Sequence, residues 1–396
     1  MNWNFGMQTV ADAGSTDRNL ERLTRAGRVV VKVGSSLLVD EPSGELNAAW
    51  LEALVDDIAR LRRRGQEALI VSSGAIALGR RRLGLPEGRL KLKHSQAAAA
   101  VGQIELAAAY RAGFACVGSV AAQVLLTLED TERRGRYLNA RDTIETLLAQ
   151  GAVPVINEND TVATAEIRYG DNDCLAARVA QLAGAECLVL LSDVDALYDA
   201  DPRECADARP IAEVVRITPD LQAAAGRTQS AYGTGGMITK LAAARIATAA
   251  GCSMVIASGR VARPIAAIEA GSRCTWFPSS ANAVTMRKRW IAAHLRLRGA
   301  YCVDAGAITA LLARKSLLPS GAVDVSGTFE RGDAVAVLDP TGREVARGLT
   351  AYASADATRL LGCRSDEIEA ILGFRGREEL IHCDDLVLSA DLEPAP

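Results

Sequence analysis

Short unbroken apolar runs alternate along the chain with longer segments whose apolar residues recur every three or four positions. The first run, Arg28-Val-Val-Val-Lys-Val-Gly34, reads as a buried strand of parallel type ending in a Gly-Ser-Ser turn. Asn47 to Arg64 carries Leu51, Leu54, Val55, Ile58 and Leu61 at helical spacing and stops at Gly65. Glu67 to Val71 is a second buried strand, leading through Ser72-Ser73-Gly74 into a helix. The same pattern predicts helices over 92–112, 137–150 and 237–250. It predicts strands over 153–156, 187–193 and 254–257, one more at 273–277, and a turn from Asp195 to Tyr198. Strand and helix alternate as far as residue 277, so a mainly parallel sheet covered on both faces is expected. From Gly321 to Thr350 short alternating runs are broken by Arg331-Gly-Asp333 and Asp339-Pro-Thr-Gly342, which predicts a β-rich module. Residues 1–27 read as a mobile extension with a helical turn near Leu20 to Arg25, and 278–297 as a linker.

Composition narrows this picture. A chain of 396 residues suggests two or three domains, and 49% hydrophobic content with only 4% aromatics means that aliphatic residues fill the core. The net charge of −3 gives no global basic footprint of the kind nucleic-acid binders carry. Nine scattered cysteines without a C-x-x-C pair fit reduced thiols better than a disulfide framework or a zinc site. His94, His294 and His382 are too far apart in sequence to suggest a histidine metal site. No signal-peptide pattern opens the chain and no apolar run of about 18 residues occurs, so the expectation is a soluble, cytoplasmic protein with no membrane contact.

The candidate chemistry centres on Asn157 to Asp173, NENDTVATAEIRYGDND, directly after a buried strand. So many polar groups at a strand end must meet solvent, each other or a ligand, and in open α/β sheets ligands sit beyond the carboxyl ends of strands. A small charged ligand and a solvated acidic hairpin both satisfy this pattern. Lys32, inside an apolar strand, needs an anion or must snorkel from the strand end. The Ser73 turn aims backbone N–H groups past the strand or caps the following helix. Gly233-Thr-Gly-Gly-Met-Ile-Thr-Lys240 opens a helix with free amides and a lysine one turn inside, and it is not the common nucleotide P-loop.

VVVKVGSS, IVSSGAIALG, VINENDTVATAEIRYGDND, LLSDVDALY and GTGGMITK occur in this order. Together they resemble the glutamate 5-kinases (γ-glutamyl kinases) of the amino-acid-kinase family, and SLLPSGAVDVSGTFERGDAVAV resembles the PUA domain of many bacterial members. The resemblance implies a three-layer αβα sandwich with a mainly parallel sheet over 28–277, a linker at 278–297, a small β-rich PUA domain over 298–376 and a tail at 377–396. It implies transfer of the γ-phosphate of ATP to the side-chain carboxylate of L-glutamate, the first step of proline biosynthesis, with proline as inhibitor. Carried over by position, Lys32 and Lys240 stabilise the phosphoryl group in flight and Asp173 orients them. Ser73, Asp160 and Asn172 hold glutamate. Lys32, Ser192, Asp193, Thr234, Gly235, Gly236, Met237, Ile238, Thr239 and Lys240 hold ATP. Mg²⁺ arrives on the ATP phosphates, with no direct protein ligand assigned. The family also implies a homo-oligomer, dimer or tetramer.

The chain departs from the family pattern in its N-terminal extension and in Ser192-Asp193, where Thr-Asp is common. Two other readings stand beside this one. One is a kinase of another small acid, such as acetylglutamate or aspartate. The other is RNA binding through the PUA module, helped by the basic cluster Arg287-Lys-Arg289, Arg296 and Arg298. That cluster reads equally as a solvated linker helix.

Overall fold

In the computed structural model, the described residues are 15–40, 43–86, 88, 90–163, 172–202, 205, 207–219, 221–222, 236–279 and 297–389. In chain order the first elements are α1 (Ser15–Arg25), β1 (Arg28–Val33), α2 (Ser35–Leu38), α3 (Ala48–Arg63) and β2 (Glu67–Ser72). They are followed by α4 (Ala75–Arg82), α5 (Leu92–Cys116), β3 (Val120–Leu126), α6 (Leu128–Glu132), α7 (Arg134–Ala149) and β4 (Ala152–Glu158). Then come α8 (Asn172–Leu182), β5 (Cys187–Ser192), β6 (Leu197–Tyr198) and β7 (Pro210–Ile211). The series closes with α9 (Met237–Ala249), β8 (Ser253–Ser258), α10 (Pro264–Glu269) and β9 (Cys274–Phe277).

Seven of these strands form one sheet in the order β3-β4-β2-β1-β5-β8-β9. Every neighbouring pair is parallel except β8–β9, which is antiparallel. The continuous apolar runs of β1, β2, β4, β5 and β8 become its buried interior, as strands covered on both faces require. Alternation along β1 divides its side chains. Val29, Val31 and Val33 join a core with residues of α3 and α5, which leaves Val30 and Lys32 on the other face, where α8 packs against β1, β2 and β5.

Strand β3 and helix α8 were not legible in the pattern. Strand β3 is an edge strand whose Val120 is 67% exposed, so its sequence VAAQVLL shows no continuous buried run. Helix α8 starts inside the acidic stretch, where Asn172 and Asp173 look like loop residues although both types are favoured at helix starts. The mobile extension expected for residues 1–27 is corrected for its second half. Residues 15–25 form three turns of helix with Leu23 fully buried, Asn19 Nδ2 donating to Cys274 Sγ at 3.4 Å and Arg22 paired with Glu213 at 2.6 Å. Residues 1–14 lie outside the described residues.

Helices α4 and α5 cross where neither has a side chain. A Cβ on Gly79 would lie 1.8 Å from the Ala98 carbonyl oxygen, and one on Gly102 would lie 1.8 Å from that of Ala75. Both obstacles are backbone, so the helices would have to separate. Gly102→Ala is expected to lower the unfolding free energy by about 3 kcal/mol or more, read by urea unfolding; a change under about 0.5 kcal/mol would show that the crossing relaxes freely.

The chain divides into two units, Met1–Glu132 with Ala140–Ala283, and Arg133–Asn139 with Val284–Pro396. The second contains β10 (Gly299–Val303), α11 (Ala305–Leu312), β11 (Ala322–Gly327), β12 (Ala334–Leu338), β13 (Glu344–Leu349), α12 (Ser354–Arg359), α13 (Ile368–Leu372) and β14 (Leu386–Leu388). Its five-stranded sheet runs β11-β10-β12-β13-β14 around Tyr301, Phe329, Val335, Val337 and Leu380. The β-rich module expected from 321–350 is therefore larger. It takes β10 from before that stretch and its edge strand β14 from the segment read as a tail. Among the linker residues, 280–296 lie outside the described residues, including Arg287, Arg289 and Arg296.

Candidate active site

The parallel strands bring their carboxyl ends to one edge of the sheet. β1 lies between β2 and β5, so the chain builds outward on one side of it and returns on the other, which is where open α/β sheets bind ligands. Lys32 stands one residue before the end of β1, in register with Val71 of β2 and Leu190 of β5.

Two helices start at this edge. Asp173 is the second residue of α8, where a carboxylate suits the positive helix end, and Lys240 is the fourth of α9, where an ammonium opposes it. The lysine is accommodated because α8 and α9 pack together and Asp173 faces it. Lys240 Nζ donates to Asp173 Oδ2 at 3.0 Å, and Lys32 Nζ lies 2.5 Å from Asp173 Oδ1. All three are buried, with Lys32 7%, Lys240 5% and Asp173 0% exposed. Burial alone would push the Asp173 carboxyl up. The charges of Lys32 and Lys240 and their hydrogen bonds outweigh it, and its pKa lies below the ordinary carboxylate value. The trio carries a formal +1 and both carboxylate oxygens face ammonium groups. A net positive trio with an engaged carboxylate suits an anionic ligand better than the role of a base.

On the neighbouring side, Asn172 Nδ2 meets the Ser72 carbonyl at 2.9 Å, Ser73 Oγ at 2.7 Å and Asn157 Oδ1 at 3.1 Å. The Ser72-Ser73 turn passes into α4 through Gly74, whose φ of +105° is open to glycine. Asn172 and Ser73 are thus joined directly, and Asn172 precedes Asp173, so the two groups of predicted residues share one corner. Asp160 lies two residues beyond β4, partly buried, in the turn closed by Val162 N–H donating to the Asn159 carbonyl. Asn157, singled out in sequence only as part of the polar stretch, proves to be a buried link.

Ser192 ends β5, buried, with its Oγ donating to Asp193 Oδ1 at 3.0 Å; Asp193 is exposed. Gly236 precedes α9 in extended conformation, its carbonyl accepting from Thr239 Oγ1 at 2.7 Å, and Met237 and Ile238 open the helix. Thr234 and Gly235 lie outside the described residues.

Residues 27–258 match the amino acid kinase family and residues 299–372 match the PUA domain. The chain is 57% identical to glutamate 5-kinase from Paramagnetospirillum magneticum over 366 residues, 92% of this chain and 99% of the relative. It is 59% identical to glutamate 5-kinase from a Bradyrhizobium species, over 93% of this chain and 97% of the relative. The chain belongs to the amino acid kinase family, among its glutamate 5-kinases. A third member of that group, from Rhizobium etli, is 56% identical over 94% of this chain and 95% of its own length. The kinase domain is followed by a strand-rich PUA domain, and ATP is the co-substrate the family implies. No helix among the described residues is long and apolar enough to cross a membrane, and no disulfide joins cysteines among the described residues.

Proposed function

We propose that the chain transfers the γ-phosphoryl group of ATP to the side-chain carboxylate of L-glutamate, giving L-glutamyl 5-phosphate and ADP in the first step of proline biosynthesis. The observation that carries this reading is the convergence of Lys32 and Lys240 on Asp173. The names of relatives that match nearly end to end supply the substrate.

The acceptor is already an anion, so the barrier lies in bringing two negative reactants into contact, and cations relieve it. Lys32 and Lys240 would meet the travelling phosphoryl group, held at fixed positions by Asp173. Ser73, Asn172 and Asp160 would hold glutamate, the carboxylate of Asp160 answering its α-ammonium. Ser192, Asp193 and the segment through Gly236 to Thr239 would hold the nucleotide, with Thr234 and Gly235 assigned by resemblance alone. Because both Asp173 oxygens are engaged by lysines, Mg²⁺ enters as part of the MgATP substrate.

A substrate panel tests the reading. ADP release with ATP and Mg²⁺ is expected to depend on L-glutamate, with kcat/KM at least about 100-fold above that for aspartate or acetylglutamate. Release that follows another acid instead would reassign the acceptor. Adding proline to the same assay tests feedback: inhibition supports it, and unchanged release removes it.

A further inference from the structure

Helix α5 is rich in alanine, and three of its hydrogen-bonding side chains, Gln96, Gln103 and Tyr110, stand at intervals of seven. Seven residues are close to two turns, so the three share one face of the helix. Each reaches a segment that bears the acceptor site. Gln96 Nε2 donates to the Ala163 carbonyl at 3.1 Å, in the loop after β4. Gln103 Oε1 accepts from Asn157 Nδ2 at 2.9 Å, at the end of β4. The Tyr110 hydroxyl is 3.0 Å from Ser72 Oγ, at the end of β2.

We propose that Gln103 is a positioning residue of the acceptor site, which acts through Asn157 to fix the direction in which the Asn172 amide and the Ser73 hydroxyl face the substrate. The proposal rests on the phosphotransfer reading above. An amide has one donor end and one acceptor end. With Gln103 Oε1 holding Asn157 Nδ2, Asn157 must turn its Oδ1 the other way, where it accepts from Glu158 N–H at 2.9 Å and from Asn172 Nδ2 at 3.1 Å. Asn172 Nδ2 is thereby held among three acceptors, the others being the Ser72 carbonyl and Ser73 Oγ. The other end of the same amide, Oδ1, is an acceptor, the kind of group that suits an ammonium. Ser73 Oγ, already accepting, keeps its proton to donate to a carboxylate. The Gln103 oxygen on α5 and the Glu158 N–H thus together set the polarity of a site for an amino acid. Without the Gln103 oxygen, Asn157 keeps only the Glu158 N–H to orient its amide, and its hold on Asn172 Nδ2 loosens.

Steady-state kinetics with ATP, Mg²⁺ and L-glutamate, together with thermal unfolding, test this in the wild type, Gln103→Leu and Gln103→Glu. Gln103→Leu is expected to raise the KM for glutamate about tenfold, with the KM for ATP and Tm close to wild type. Gln103→Glu retains an oxygen that accepts from Asn157 and is expected to recover most of the loss. A glutamate KM within about twofold of wild type in Gln103→Leu would overturn the proposal. So would both KM values rising together, loss of folding, or no recovery in Gln103→Glu. A wild type without glutamate-dependent ADP release would defeat the underlying reading before any variant is compared.

Discussion

Lys240→Ala is expected to lower kcat by about 10²–10³-fold, the size of effect seen when one fixed donor to a transition-state charge is removed. The loss should fall on kcat and kcat/KM for both substrates alike, because the ammonium acts most strongly as charge moves between two anions. The fold should survive. Asp173 keeps Lys32 at 2.5 Å, so its buried carboxylate still has a cationic partner. Steady-state kinetics with circular dichroism check both halves of this statement. A folded variant turning over within a few-fold of wild type would remove Lys240 from the catalytic group.

Asp173→Asn is expected to show the reverse balance, with stability suffering most. It leaves two buried ammonium groups facing each other without the carboxylate that joins them. Breaking a buried ion pair in this way costs about 3–5 kcal/mol. Asn preserves the shape and remains acceptable at a helix start, so the loss reports on charge. The pH dependence follows from the depressed pKa of Asp173. Its folded value lies below its unfolded value of about 3.9, so the stabilisation is fully present above that pH and disappears as pH falls through the folded value. Urea unfolding should therefore show a constant gap between wild type and variant near neutral pH, closing below about pH 4. A gap that is absent at pH 7, or unchanged at pH 3, would show that the trio does not contribute through charge.

Much of the candidate corner was legible because its parts break local rules. Lys32 interrupts an apolar strand, and Lys240 sits in the first turn of a helix, where a cation is disfavoured. Each anomaly asks for an anion, and Asp173 answers both. The parallel sheet was legible for a related reason, since runs such as CLVLLS have no polar face to spare for solvent. What escaped is long-range or ambiguous in type. Asn172 is bonded to residues 99 and 100 positions away, and Gln103 to one 54 away, and no local pattern announces such pairs. Helix α8 was hidden because Asn and Asp open helices and loops alike, and α1 was read only as a turn near Leu20 to Arg25 because its stability comes from Leu23 and Arg22 packing against distant residues.

Two lysines fixed by one carboxylate would allow two negative reactants to meet. Single-turnover transfer of labelled γ-phosphate from ATP to glutamate, with both substrates saturating, tests it most directly in wild type, Lys32→Ala and Lys240→Ala. Both variants are predicted to bind the substrates yet transfer at least about 100-fold more slowly. Transfer at the wild-type rate in either folded variant would contradict the claim.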